Sequence, residues 1–242
     1  MISFDNLKNE FEKLIIKNQL ETSNVTITTA ALTPAEAIGN PDRKDYPILK
    51  GKEVLINACF EESNGQAFTD SPSLFSGTIK ELLQMPLDCD ANRAIFIASL
   101  NAVMNHLGLA DCTVHCKNNR PEQCAKEICN YLLENHTHAK IGMIGFQPAI
   151  IDRLKDFFTI RVLDLNSENI GKQKYGTLIE DGIKDQKDVL NWADVVLATG
   201  STITNATINS FIDIDKPLYI YGTTIAGVAS LLGLKRLCFP NE

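Results

Sequence analysis

The hydrophobic pattern of the first 60 residues predicts one helix followed by strands. Apolar residues recur at helical spacing from about Ser3 to Gln19 with charged residues between them, which predicts an amphipathic helix. NVTITTAAL alternates and is rich in β-branched residues, and KEVLINACF is a second apolar run, so each predicts a strand. The prolines and glycines of EAIGNPDRKDYPILKG predict a loop between them, with room for a short third strand of a meander.

The pattern then changes to helical periodicity in three segments. SGTIKELLQMP predicts a short helix that stops before Pro86. NRAIFIASLNAVMNHLG is apolar nearly all round, which is typical of a buried helix, and Gly108 is suited to its C-terminal cap. RPEQCAKEICNYLLENH predicts a third helix, with Pro121 in its first turn.

Apolar strands alternate with helical segments in the second half of the chain. KIGMIGF, TIRVLDLN, DVVLATG and PLYIYG predict strands, and QPAIIDRLKDF and TTIAGVASLLG predict helices between or after them. This alternation, with strands that are apolar on both faces, indicates an α/β fold with a parallel sheet. We place a domain boundary near Thr137 to Lys140, giving domains 1–137 and 138–242.

Three predicted strands end in glycine turns, IGFQP, ATGST and YGTT. The carboxyl ends of parallel strands share one edge of a sheet, where ligands bind, so backbone N–H groups there would favour a small anionic ligand. Asp164, at the end of another strand, is suited to accept hydrogen bonds from ribose hydroxyls. The hydroxyls after the last two turns also fit ordinary helix caps. The Gly-x-Gly-x-x-Gly pattern of a standard NAD site is absent.

The stretch CTVHCKNNRPEQC holds three cysteines and a histidine within thirteen residues. Cys124 and Cys129 lie about 140° apart around one predicted helix, so they do not easily share an ion. His115 and Cys116 converge only if their segment is a loop, in which case they suit a soft transition-metal ion. A metal site, a reactive thiol and buried packing all stay open. Three further cysteines lack ligand spacing and are interpreted as packing residues: Cys59, Cys89 and Cys238.

Two polar features of the first half are also candidates. NGQAFTDSP predicts a polar loop carrying Gly65, Thr69 and Asp70. Asn101 lies within the apolar helix, where a buried amide must be hydrogen-bonded, either to a neighbouring loop or to a ligand.

Composition and charge narrow the function classes. The chain has 242 residues and a net charge of -7, which argues against nucleic-acid binding because that needs a basic face. No apolar run approaches the ~20 residues that span a bilayer, and no signal peptide is evident, so we expect a cytoplasmic protein. Seven cysteines are an odd number in a chain of this size, which favours reduced thiols.

Several motifs together resemble the family known as "putative heavy-metal chelation": GQAFTD, SLNAVMNHLGL, TVHCKN, IGMIGFQPAI, LATGSTITN and YGTTIAG. The resemblance extends from about residue 10 to Cys238. It implies an N-terminal α+β domain like the enolase N-terminal fold, followed by a Rossmann-like domain, with a ligand cleft between them.

Carried over position by position, the resemblance implies a set of site residues. The ligand-binding candidates are Thr69, Asp70, Asn101, Gly145, Asp164, Thr199, Gly200, Ser201, Asn205, Thr223 and Thr224. His115 and Cys116 are the candidate metal ligands. We expect a protein that binds a small anionic or metal-bearing ligand, and the alternative is an enzyme acting on a nucleotide-like or phosphorylated metabolite. The catalytic residues and the oligomeric state stay open, a homo-oligomer included.

Overall fold

A computed structural model describes residues 2–21, 26–51 and 53–240 of the chain. The first residues of two predicted strands, 24, 25 and 52, lie outside the described residues. The first half contains α1 (Phe4–Lys17), β1 (Thr26–Ala31), α2 (Pro34–Ile38), β2 (Val54–Phe60), β3 (Ser63–Thr69), β4 (Phe75–Thr78), α3 (Ile79–Gln84), α4 (Asp90–His106) and α5 (Arg120–Asn135). The predicted first helix is confirmed as α1, which buries Leu7, Phe11 and Ile15.

The strands of the first half form a four-stranded antiparallel sheet in the order β3-β2-β1-β4. The prediction of a polar loop over NGQAFTDSP was wrong, because residues 63–69 form β3. A Cβ atom on Gly65 would lie 2.1 Å from the backbone nitrogen of Ala102, so the strand lies directly against α4. The glycine that suggested a loop is therefore the residue that allows this contact.

Two other local predictions need correction, and one further segment has a structure that was not predicted. Residues 76–78 belong to β4, and the helix starts at Ile79 because Thr78 and Glu81 form a capping box before it. The predicted loop over residues 36–51 includes the end of α2 and a 3₁₀ helix, Pro47–Lys50. The segment STITNATINSFI forms two 3₁₀ turns, Gly200–Ile203 and Thr207–Ser210.

The second half forms a seven-stranded sheet that is parallel except at one edge. Its elements are β5 (Lys140–Ile144), α6 (Pro148–Leu154), β6 (Thr159–Asp164), β7 (Gln173–Lys174), β8 (Thr177–Asp181), α7 (Gln186–Trp192), β9 (Val195–Thr199), β10 (Leu218–Tyr221), α8 (Ala226–Leu232) and β11 (Arg236–Leu237). The strand order is β11-β10-β9-β5-β6-β8-β7, which confirms the predicted α/β class. From β5 the chain adds β6, β7 and β8 on one side of the sheet, and it then adds β9, β10 and β11 on the other side. The switch in direction therefore lies between β5 and β9.

The two sheets share packed helices. Helix α4 lies between the first sheet and α8, where a Cβ atom on Gly227 would come within 2.4 Å of Leu100 Cδ2. Helix α5 precedes the predicted domain boundary and packs against α6, which follows it. The boundary near residue 137 stays a prediction. Within the described residues, no helix combines the length and the apolar character needed to cross a membrane.

Candidate functional site

A cavity of about 1010 Å³ lies at the carboxyl ends of β5, β9 and β10, and we call it the cleft. These three strands are neighbours in the sheet, so the glycine turns at Gly145, Gly200 and Gly222 all line it. Residues 68–70 from the end of β3 and residues 114–116 close its opposite side. The predicted convergence of separate strand-to-helix turns on one hollow is therefore present.

Glycine is required where the two turns flanking the switch point approach their neighbours. Gly145 has a φ of 98°, and a Cβ atom there would lie 2.5 Å from Thr199 Cγ2. A Cβ atom on Gly200 would lie 2.9 Å from the nitrogen of Ile225. Any side chain at either position would clash with the adjacent turn.

Three threonine hydroxyl groups at the cleft, including the predicted ligand contacts Thr223 and Thr224, make hydrogen bonds to the backbone of the cleft wall. Thr202 Oγ1 donates to Thr199 O at 2.7 Å, and Thr223 Oγ1 donates to Cys112 O at 2.8 Å. Thr224 Oγ1 accepts a hydrogen bond from Phe68 N at 3.0 Å. These bonds fasten β3 and the cysteine segment to the second sheet, so the threonines position the site.

Five further predicted residues lie at the wall of the cleft. Thr199 Oγ1 and Ser201 Oγ are 3.2 Å apart, and Asn205 Oδ1 accepts from Thr207. Thr69 Oγ1 accepts from Ser71 N at 3.0 Å, and Asp70 accepts from the Ser71 hydroxyl at 2.9 Å.

The structure places Asn101 outside the cleft lining, fully buried in α4. Its Nδ2 donates to Gln66 O and Thr224 O, and its Oδ1 accepts from Gly227 N at 2.7 Å. The amide therefore joins β3 to the turns of the second sheet and has no free group for a ligand.

Asp164 lies at the end of β6 and lines the cleft, as the strand pattern predicted. Its carboxylate accepts from Leu165 N and from Asn169 Nδ2, each at 2.7 Å. Glu53 lies close enough to interact with it electrostatically. The surrounding cleft wall desolvates Glu53 and raises its pKa to about 7, although the residue is solvent-exposed, and the negative charge of Asp164 adds to the shift. Sequence reasoning missed Glu53, because its position beside Asp164 depends on the contact between the two halves.

Tyr221 is a second lining residue that sequence reasoning missed. Its side chain is only 6% exposed, and its Oη has no hydrogen-bond partner among the described residues. The hydroxyl would lie 3.6 Å from a Cβ atom on Gly145, which places it at the switch point. Burial and the charge of Glu53 raise the pKa of Tyr221, and the nearby Thr199 side chain acts in the opposite direction with a smaller effect, so the phenol stays protonated. A buried hydroxyl without a partner suits a bound ligand.

The wall of the cleft is acidic. Its carboxylates are Glu53, Asp70, Asp90, Asp164 and Glu168, and no lysine or arginine lines it within the part of the chain that the structure describes. Asp90 is paired with Arg93, which lies behind the wall. Glu53, Asp70 and Asp164 give the cleft a negative potential that favours cations.

The structure places His115 and Cys116 at the wall of the cleft. His115 Nδ1 lies 3.2 Å from Ala37 O, and the imidazole packs edge-on against Phe68 with 5.1 Å between ring centroids. Burial lowers the pKa of His115 to about 4, so the ring is neutral. Residues 2–21, 26–51 and 53–240 contain no ready-made group of three His, Cys, Asp or Glu side chains for a metal ion. A metal at His115 and Cys116 stays a prediction.

Comparison with known proteins supports the fold and the family. No curated protein matches the chain. A protein of unknown function from the DUF364 family of Pyrococcus horikoshii has a similar structure, with 16% identity and a TM-score of 0.53, over 90% of this chain and 79% of that chain. A DUF364 protein of Desulfitobacterium hafniense DCB-2 has 12% identity and a TM-score of 0.52, over 74% of this chain and 72% of that chain. Over residues 129–230 the chain matches the model of the family described as "putative heavy-metal chelation".

Proposed function

We propose that the cleft binds a small, positively charged ligand that carries a metal ion. The observation that carries this proposal is the charge of the wall, where carboxylates face the cavity and the described lining has no lysine or arginine. Of the two ligand classes predicted from the sequence, an anionic one would meet repulsion from these carboxylates, whereas a metal-bearing cation would be attracted. The description of the family is in line with this choice.

The polar groups at the switch point supply contacts for such a ligand. Asp164 accepts from Leu165 N, Asn166 N and Asn169 Nδ2, and retains about one further position because a carboxylate has about four acceptor positions. The Tyr221 hydroxyl is available to donate to an oxygen atom of the ligand. We therefore place the ligand between β5, β9 and the end of β6.

The start of α6 gives a second argument against a phosphorylated ligand. Pro148 has no N–H group, and the N–H of Ile150 donates to Gln147 Oε1 at 2.7 Å. The helix start therefore lacks most of the free donors with which a Rossmann-type turn binds a pyrophosphate. The alternative function is an enzyme acting on a nucleotide-like metabolite. Asp164 would bind the hydroxyl-bearing part of such a metabolite, but the start of α6 offers few donors for its phosphate groups.

A pair of inert cobalt complexes tests the proposal by charge alone. Hexaamminecobalt(III) is a trication and hexacyanocobaltate(III) a trianion, and neither exchanges its ligands for protein thiols readily. We expect isothermal titration calorimetry at physiological ionic strength, where surface attraction is screened, to show one site for the cation and none for the anion.

Two sets of variants locate that site. The double substitution Glu53→Gln, Asp164→Asn should weaken cation binding by at least about tenfold, equivalent to ~1.4 kcal/mol. Asp188→Asn is the matched control, because its carboxylate pairs with Arg161 on an exposed surface away from the cleft. Preference for the trianion, or equal losses in the double variant and the control, would contradict the proposal.

A further inference from the structure

The size and lining of the cleft indicate a ligand with a large organic part. Its volume of about 1010 Å³ lies at the upper end of the range for small-molecule sites, so an inorganic ion would fill only a small part of it. Much of the wall is apolar or aromatic, including Tyr46, Ile48, Phe68, Phe146 and Ile150. An apolar group of a ligand that displaces water from such a wall gains free energy.

The ring of Phe146 has a fixed place at the switch point. Phe146 directly follows Gly145 after the end of β5, is half-buried and lines the cleft. Its ring is stacked on that of Tyr175, with 6.4 Å between the centroids and 19° between the ring planes. The guanidinium of Arg43 lies over the Tyr175 ring, 5.3 Å from its centroid. We call Phe146, Tyr175 and Arg43 the stacked column, and Phe146 is its only member that lines the cleft.

Contacts from both halves of the molecule hold the stacked column in place. Arg43 pairs with Glu122 in α5 and with Asp152 in α6, the latter at 2.7 Å. The hydroxyl of Tyr175 donates to the carboxylate of Asp45. Tyr175 has a φ of 53° in the tight turn between β7 and β8, a left-handed conformation that is uncommon for a residue other than glycine. The fold therefore keeps an unfavourable backbone conformation at the residue that supports this part of the cleft wall.

The Tyr221 hydroxyl gives a second, independent indication. Its side chain is only 6% exposed, and its Oη has no hydrogen-bond partner among the described residues. The Oη would lie 3.6 Å from a Cβ atom on Gly145, the residue before Phe146. A flat ring with a nitrogen or oxygen acceptor suits both features, because it can stack through its face and accept a hydrogen bond in its own plane.

We propose that the organic part of the ligand contains a flat aromatic ring, which stacks on Phe146 and accepts a hydrogen bond from Tyr221 Oη through a nitrogen or oxygen atom. This inference rests on the proposed function for the charge and the place of the ligand, and it adds the chemical class of the organic part. Aromatic rings stack at centroid distances of about 4.5–7 Å, so a ligand ring would extend the stacked column by one member. A saturated ring of the same charge and similar size has no π face and would gain less.

Two organic cations without a metal test the ring by itself. The first, 6-methoxy-N-methylquinolinium, is flat and carries an oxygen acceptor. The second, N,N-dimethyldecahydroquinolinium, has the same charge and a similar size but is saturated. Isothermal titration calorimetry measures the affinity of each for the full-length protein. We expect the flat cation to bind at least about tenfold more tightly, which is within the range measured for stacking on aromatic side chains.

Substitutions locate the ring within the cleft. Phe146→Leu keeps an apolar side chain but removes the flat face, so it should weaken binding of the flat cation by about tenfold and leave the saturated cation unchanged. Phe157→Leu is the matched control, because Phe157 is exposed, contacts Arg153 and does not line the cleft. Tyr221→Phe should weaken binding of the methoxy cation several-fold and leave N-methylquinolinium, which has no oxygen atom, unchanged.

The outcomes separate this inference from the proposed function. Equal affinity for the flat and the saturated cation, or equal losses in Phe146→Leu and Phe157→Leu, would overturn the ring. Circular dichroism shows whether each variant is folded, and the comparison of the two cations on the natural sequence decides the result if Phe146→Leu is not. Hexaamminecobalt(III) has no ring, so Phe146→Leu should bind it as the natural sequence does. Binding of the cobalt trication without either organic cation would overturn the ring alone, whereas binding of the flat cation through Phe146 without the trication would contradict the proposed function alone.

Discussion

Substitution of Asn101 by alanine tests whether this amide holds the two halves of the molecule together. Asn101 is fully buried, and its side chain bonds to Gln66 O, Thr224 O and Gly227 N. Its Nδ2 also lies 3.3 Å from Thr223 O, and all four partners are backbone groups. The change therefore leaves one N–H and three carbonyl groups without this partner.

The expected cost follows from the number of groups left unpaired. An unsatisfied buried N–H costs about 1–3 kcal/mol, and the three carbonyl groups and the small void add to it. We expect Asn101→Ala to lower the free energy of unfolding by about 3–5 kcal/mol. Asn105 lies one turn later in α4, is half-buried and makes one bond of 3.4 Å to Ala110 O. Asn105→Ala should cost about 1 kcal/mol or less.

Urea denaturation followed by circular dichroism measures both variants. A change in the midpoint at constant slope reports stability, whereas a change in slope would report a change in the exposed surface. A ligand role for Asn101 predicts near-normal stability of the ligand-free variant and reduced binding of the cobalt trication. Losses of similar size in the two variants would refute the structural role.

Three further changes test the geometry of the cleft. Gly145→Ala should lower the free energy of unfolding by about 2–4 kcal/mol, measured by thermal or urea denaturation. The loss should exceed that of Gly222→Ala, because Gly222 has nearly the same φ of 97° but nothing within 4 Å of the added Cβ. Equal losses would contradict the contact with Thr199. Tyr221→Phe should stabilise the ligand-free protein by about 1 kcal/mol, because the substitution removes a buried hydroxyl that has no hydrogen-bond partner. The same substitution should weaken ligand binding. Lower stability would show that the hydroxyl has a protein partner. Binding of hexaamminecobalt(III) should strengthen from about pH 6 to about pH 8 as Glu53, which faces Asp164 and Tyr221, loses its proton. Because the pKa of Glu53 is higher in the folded than in the unfolded protein, its contribution to stability should fall as the pH rises towards about 7. Glu53→Gln should abolish the pH dependence of both binding and stability.

Local patterns predicted β5, β6, β9 and β10 because these strands are apolar on both faces. They missed β7 and β11, which are two residues long, and β8, in which only Ile179 is fully buried. The positions of Gly145, Gly200 and Gly222 along one edge follow from the common direction of parallel strands. By contrast, β3 carries polar residues that are typical of a loop. The Gln66 side chain is buried there because it bonds to Asn57 and to His115 N, and neither partner is adjacent in sequence.

The chemistry of the site was harder to predict than its place. Cys238 has no ligand spacing in the sequence, and only the folded chain places it at the wall of the cleft with Cys116 and Cys124. The hydroxyls of Thr223 and Thr224 suggested ligand donors, but the structure uses them to fasten neighbouring segments. A strand pattern does not predict whether a single atom such as Tyr221 Oη is buried, so it could not show that this hydroxyl lacks a hydrogen-bond partner.

Anomalous diffraction from crystals grown with hexaamminecobalt(III) tests the central claim most directly, because it locates the cation itself. The charge of the wall predicts a cobalt peak inside the cleft, beside the carboxylate of Asp164 and the hydroxyl of Tyr221. Cobalt peaks confined to the outer surface, or a peak from hexacyanocobaltate(III) in the cleft, would contradict a cation-binding site at the switch point.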